Sequence, residues 1–190
     1  MSTLVVVLVV TVVVAVVVLG WIVATYNGLV RRRNAVTNAW SQVDVQLKRR
    51  YDLVPNLVET VRGYAAHERQ TFDSVTAARA AAVAAQGPVE QARAENALST
   101  TLRSLFAVSE AYPQLRASYH FLQLQEELVT TENRIQAARR FYNGNVRDYN
   151  RRVDSVPSLV IARLFRFTRE EYFEVEPIVR ELPSVAFNPH

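Results

Sequence analysis

Cysteine is absent from the chain, lysine occurs once, at Lys48, and glycine appears only five times in 190 residues. Without thiols there is no disulfide, no thiolate metal site, no cysteine nucleophile and no lipidated N-terminal cysteine. Five scattered glycines exclude a phosphate-binding loop, a dinucleotide fingerprint and a nucleophile elbow, each of which needs glycines at close fixed spacing. Prolines number seven, and Ala, Arg, Leu, Gln and Glu fill much of the remainder, a mixture that favours helix interiors over strands and turns. The expected class is all-α. Charge is also missing from a whole segment, since no Asp, Glu, Lys or Arg precedes Arg31.

Residues 4–24 are apolar apart from Thr11 and Gly20, and as a helix they would rise about 31 Å, the thickness of a bilayer's hydrocarbon core. Valine is a modest helix former in water, but lipid leaves the backbone no partner other than its own helical hydrogen bonds. Trp21 and Tyr26 fall where interfacial aromatics belong. A cleaved signal peptide is the alternative; its basic leading region is missing and the apolar run is too long for one. Arg31, Arg32 and Arg33 follow the span closely, so the expected protein is a single-pass cell-membrane protein with its N-terminus outside and its bundle cytoplasmic.

Beyond the span, Leu29, Val36, Trp40, Val43 and Leu47 recur at helical spacing. That first soluble helix is expected to end near Arg50, where Lys48, Arg49 and Arg50 complement a helix C-terminus and Asp52 can cap a new helix holding Pro55 in its first turn. A kinked continuous helix is the rival. A second helix is expected over 53–86, ending at Gly87-Pro88, and a third over about 89–111, ending at Tyr112-Pro113. Phe121, Leu128, Ile135, Tyr142 and Tyr149 then repeat every seven residues along a fourth helix ending near Arg152. Short connections force antiparallel neighbours, so the expected architecture is an up-and-down antiparallel four-helix bundle over 26–155. A tail over 156–190 follows, in which Leu159 to Phe167 forms a short amphipathic helix with Arg163 and Arg166. It either returns to the membrane surface or caps the core. The string Arg49-Arg50-x-Asp52-x-Val54-Pro55-x-Leu57-Val58 reappears as Arg151-Arg152-x-Asp154-x-Val156-Pro157-x-Leu159-Val160. We read the echo as shared punctuation, both sites ending one helix and capping another; a helix-hairpin duplication is the alternative.

Tyr26-Asn27-Gly28-Leu29-Val30, the run from Asp44 through Arg49-Arg50-Tyr51-Asp52-Leu53-Val54-Pro55-Asn56-Leu57-Val58, and Gly63-Tyr64-Ala65-Ala66-His67-Glu68 together resemble the LemA family. Tyr112-Pro113, Thr131-Glu132-Asn133-Arg134-Ile135 and Tyr142-Asn143 extend the resemblance in order along nearly the whole chain. It implies an N-terminal membrane segment, an outward N-terminus and an up-and-down helical bundle, and brings no catalytic residues with it.

The residues themselves supply no catalytic constellation. His67-Glu68 lacks the second histidine of a zinc protease helix, since position 71 is Thr, and neither His67 nor His120 follows a glutamate at di-iron spacing. No enzyme activity, cofactor or metal site is expected. Glu68 falls on an apolar stripe with Val61, Ala65, Phe72 and Val75, so it is expected to be a buried carboxylate paired with Arg134 or an asparagine of the fourth helix. Thr131 to Arg134 is read as a polar layer setting helix register. Residues 26–50 carry six basic residues, Arg31, Arg32, Arg33, Lys48, Arg49 and Arg50, against Asp44 alone, a local charge of +5. The plain reading is a topology signal and a solvated face; the sharper one is attraction to anionic headgroups. No nucleic-acid reading motif accompanies the charge. The expected partners are the bilayer and a protein not identified by the sequence, with self-association compatible. The expected function is an interaction or scaffold role, and the alternative is a non-autonomous enzyme or regulatory subunit acting only within a membrane complex.

Overall fold

A computed structural model describes residues 2–174, which form helices joined by short turns, with no strand among the described residues. The first helix, α1, runs Ser2–Arg62 without interruption. It carries the apolar run and the first packing stripe on one rod about 92 Å long. Leu4 to Leu19 are exposed throughout, whereas from Leu29 onward a stripe of Val36, Ala39, Val43, Leu47, Val54, Leu57 and Val61 is buried.

The expected break at 50–52 does not occur. Pro55 lies inside α1, and a proline there removes the hydrogen bond to the carbonyl four residues earlier, that of Tyr51. That carbonyl instead accepts from Arg79 Nε at 2.7 Å. A side chain from the neighbouring helix thus supplies the donor that proline lacks, and the helix continues. The break comes at Gly63 to Glu68, where a pair of turns leads into α2, Arg69–Ala84. The echoed motif therefore occupies two environments. Around Pro55 it is helix interior; around Pro157 it separates α5, Tyr119–Asp154, from the short α6, Ser158–Leu164. Shared punctuation does not describe the first copy.

Helix α3, Gly87–Glu110, begins at the expected Gly-Pro, with Gly87 in the left-handed region at φ 77°, a conformation that costs glycine least. A single turn, α4, Pro113–Arg116, leads into α5. Its heptad residues Phe121, Leu128, Ile135, Tyr142 and Tyr149 are all buried. The packing of α5 on α1 is antiparallel: Glu132 reaches Arg50, Tyr142 stacks edge-on against Trp40, and Arg152 lies beside Gly28.

The hairpin of α2 and α3 covers only the far part of α1. Arg62 sits over the Phe72 ring, 5.2 Å from its centroid, while Ala82 and Gln91, near the other end of that hairpin, meet the Tyr51 hydroxyl. The hairpin therefore packs against α1 beyond about Leu47, whereas the part nearer the N-terminal run is a pair, α1 and α5. A third layer there comes from the chain after α6. Residues 168–174 run extended along the α1–α5 seam and bury Phe173 against Trp40, at 5.6 Å between ring centroids. The rest of the expected tail, residues 175–190, lies outside the described residues.

Candidate functional site

Two places on this scaffold concentrate polar and charged side chains: a buried network where the α2–α3 hairpin meets α1, and the region where the apolar run of α1 meets the pair. The network centres on Arg50. Lys48 and Arg49 are exposed, but Arg50 is only 6% exposed because it continues the apolar stripe between Leu47 and Val54. Its Nη1 donates to Glu95 Oε2 at 3.0 Å and lies 3.3 Å from Glu132 Oε2, while Nη2 donates to Ser99 Oγ at 2.8 Å. The other oxygen of Glu95 accepts from the Tyr51 hydroxyl and from Gln91 Nε2. Gln91 also donates to the Ala82 carbonyl at 3.0 Å.

Burial pushes the Glu95 carboxyl above the usual carboxylate range, an effect opposed by Tyr51, Arg50 and Gln91. It pushes the Tyr51 hydroxyl up as well, with Glu95 adding to the shift. Arg50 and Glu95 are thus desolvated but partnered, the condition under which a buried ion pair is tolerated. Network residues come from α1, α3 and α5, so it ties together helices distant in sequence. Arg50, Leu102, Phe106, Leu128, Val129 and Glu132 also line an open cleft between α3 and α5.

The expected partners Glu68 and Arg134 are not joined. Glu68 is half-buried just before α2, with no side-chain capping bond, because the chain leaves the helix at Gly63 and the stripe projected through 61–75 loses its phase. Arg134 is exposed on α5. Among the described residues, the buried ion pair is Arg50 with Glu95. Within the expected polar layer, Thr131 is buried and Glu132 joins the network, accepting also from Gln136 Nε2 at 2.9 Å. The sequence signal for Arg50 was available: the stripe of Val43, Leu47, Arg50, Tyr51, Val54 and Val58 keeps its helical phase through the basic cluster.

A continuous α1 also divides the basic cluster. Arg31, Arg32 and Arg33 lie one to three turns beyond Ala24, whereas Lys48 lies about 36 Å along the helix from it. Only the first three belong to the region next to the apolar run. Arg33 pairs with Glu170 at 3.4 Å, while Arg31 and Arg32 share a notch with Arg152 of α5, floored by Ala24 and Gly28. On another face of α1, Phe165 and Phe167 meet the Tyr26 ring edge-on, with centroids 4.9 and 5.6 Å away. Ile161 and Ala162 of α6 are buried, whereas Val160 and Leu164, one turn apart, are exposed, as is Val156 in the turn before the helix. Leu159 to Phe167 thus caps the core with one face and leaves the other uncovered.

Extended residues 168–174 are held by a repeated device. Asn150 donates to the Glu170 carbonyl and accepts from the Glu170 N–H, both at 2.9 Å. Asn143 does the same with Phe173, at 3.2 and 2.9 Å. The preceding tyrosines assist, Tyr142 donating to the Glu171 carbonyl at 2.7 Å and Tyr149 to that of Thr168 at 2.9 Å. Seven helical residues advance about 10.5 Å and three extended residues about 10 Å, so a Tyr-Asn pair every two turns matches every third residue of the strap. Burial, with Glu170 and Glu171 nearby, pushes the Tyr142 hydroxyl up to about 12.

Comparison with known proteins agrees with the resemblance noted in the sequence. Magnetosome protein MamQ 2 of Paramagnetospirillum magneticum is 26% identical over 178 residues, covering 80% of this chain and 65% of that protein. Magnetosome protein MamQ of Magnetospirillum gryphiswaldense is 25% identical over the same length and with the same coverage. Protein LemA of Metamycoplasma hominis is 27% identical over 158 residues, covering 81% of this chain and 71% of that one. The chain thus spans just under two thirds of the length of the MamQ relatives. The profile of the LemA family matches residues 39–187, from the α1 stripe through the network, α5 and the strap, and on this match the chain belongs to the LemA family.

Proposed function

We propose that this protein is a membrane-tethered interaction module that holds a rigid helical body against the inner face of the cell membrane and recruits protein partners there. The observation that carries the reading is the continuity of α1. One helix takes an exposed apolar run, long enough to cross a bilayer, directly into the buried stripe of the folded body. In water the exposed valines would be costly, whereas in lipid they are the ordinary surface of a spanning helix. Because no hinge separates run from body, the body's height and tilt follow those of the span. Arg31, Arg32 and Arg33 favour the cytoplasmic side for the body.

In this reading the four helices around Arg50 act as an up-and-down bundle that stands off from the bilayer, and its outer faces are where a partner binds. Affinity capture of the full chain from detergent-solubilised membranes, followed by mass spectrometry, tests it. A reproducible stoichiometric protein partner supports the module. A partner carrying an active-site motif, with turnover that depends on this chain, would instead make it a regulatory subunit of an enzyme complex.

A further inference from the structure

We infer that the notch formed by Arg31, Arg32 and Arg152 is a binding site for the phosphate headgroup of an anionic phospholipid. The inference rests on α1 spanning the membrane and names a ligand for the surface that this brings to the bilayer. Gly28 lies about 6 Å, one helical turn, beyond Ala24 at the end of the apolar run, and so falls within the headgroup layer. The α-carbons of Arg31 and Arg32 lie about 10–12 Å beyond Ala24, from where a long side chain can reach back to headgroup phosphates. Arg152 arrives from the far end of the chain and completes the notch with Ala24 and Gly28. The two small residues are what make it a recess. A Cβ built on Gly28 would meet no atom within 4 Å, so the space is open and not a requirement of helix packing.

Charge supports the same ligand. Among the described residues, no carboxylate lies within ion-pair distance of Arg31, Arg32 or Arg152, although Arg33 and Arg169 do have acidic partners. Three arginines lining one recess suit a phosphate, which a guanidinium can bind in forked geometry. Val156, in the turn before α6, and Val160 and Leu164 of α6 are 79%, 63% and 67% exposed, with Arg163 next to Leu164. Apolar area bordered by arginine is the composition of a segment lying in the interface. The edge contact of Phe165 on Tyr26 fixes this segment at the level of the membrane exit. Arg152 adds a specificity that a loose basic stretch lacks, because it brings a third charge to one recess.

The test uses the full chain in nanodiscs of phosphatidylcholine containing a minor fraction of phosphatidylglycerol, with native mass spectrometry counting the lipids that stay bound on release. Wild type is expected to retain phosphatidylglycerol above its share of the disc. Arg152→Gln should lower that enrichment about fivefold, equivalent to ~1 kcal/mol for one basic residue at the surface, and Gly28→Leu should do the same by filling the recess. Arg49→Gln, on the same helix but roughly 36 Å from the apolar run, should match wild type. Arg152 is exposed, and an unchanged melting temperature will verify that its substitution leaves the fold intact. Undiminished enrichment in Arg152→Gln overturns the site, as does an equal loss in Arg49→Gln, which would mean diffuse attraction. A chain that does not insert into the discs at all overturns the span and the site together, a result distinguishable from insertion without lipid preference.

Discussion

The carbonyl of Tyr51, which Pro55 leaves without its helical donor, accepts a hydrogen bond from Arg79 Nε at 2.7 Å. The contact explains how a 61-residue helix passes through a proline, and it makes the two residues interdependent. Arg79→Met should destabilise the protein by about 1–3 kcal/mol, because it orphans a carbonyl inside the bundle. In a Pro55→Ala background the restored N–H can take that carbonyl, and the same substitution should cost clearly less. Denaturant unfolding of the four proteins of this cycle in detergent gives the coupling; equal costs in both backgrounds would mean that Arg79 does not stand in for the missing donor.

The Arg50 network leads to a second expectation. Glu95→Ala removes the carboxylate that serves Arg50, Tyr51 and Gln91, and stripping one partner from a buried ion pair costs about 3–5 kcal/mol. Replacing both members, Arg50→Met with Glu95→Leu, should recover a good part of that loss, since an apolar pair leaves no buried charge. The unfolding midpoints decide it. A double variant no more stable than Glu95→Ala would show that the network holds the bundle through its other members.

Release of the strap can be read by proteolysis. Asn150→Ala removes both hydrogen bonds to Glu170, and with them about 1–2 kcal/mol of local stability. Trypsin cleavage after Arg169, next to the freed segment, should then accelerate about tenfold, while the core of α5 stays protected. Asn145→Ala, whose side chain among the described residues bonds to Phe141 of its own helix, should behave as wild type.

Alkaline pH probes the same seam. Tyr142 ionises near 10 when unfolded but is held protonated to about 12 in the folded protein. Between those values the unfolded chain loses its proton first, so stability falls as pH rises from 10 toward 12, by up to about 3 kcal/mol from this group. Tyr142→Phe should be less stable at neutral pH, by the lost bond to the Glu171 carbonyl, yet should show a shallower decline above pH 10. An unchanged slope would place Tyr142 in contact with solvent.

The sequence announced much of this fold because its signals are periodic. The heptad of Phe121, Leu128, Ile135, Tyr142 and Tyr149 needs only local spacing to be seen, and each member is buried. The Gly87-Pro88 junction is legible for a similar reason, since both residues have restricted backbone uses. What stayed hidden depends on contacts between distant residues. Pro55 reads as a break unless Arg79 is known to supply its donor, and once α1 is taken to end at Arg50, that arginine looks like a capping charge and not a core residue. The projection of Glu68 inward failed for the complementary reason: it assumed a helix through Gly63, where the chain turns. Asn143 and Asn150 gave no warning either, because an asparagine that clasps a backbone amide resembles any polar residue on a helix surface. Arg31, Arg32 and Arg33 were identified beside the apolar run, but Arg152, from the other end of the chain, could join them only through the fold.

The most direct test of the central claim, that α1 anchors the body on one side of a membrane, exploits the absence of cysteine. Ser2→Cys and Glu126→Cys each introduce a single thiol at an exposed position at opposite ends of the molecule. Treatment of intact cells with a membrane-impermeant maleimide should label Ser2→Cys, and should label Glu126→Cys only after the membrane is permeabilised, with both chains remaining in the membrane pellet after alkaline extraction. Labelling of Glu126→Cys in intact cells, or release of the chain by alkali, would contradict the account.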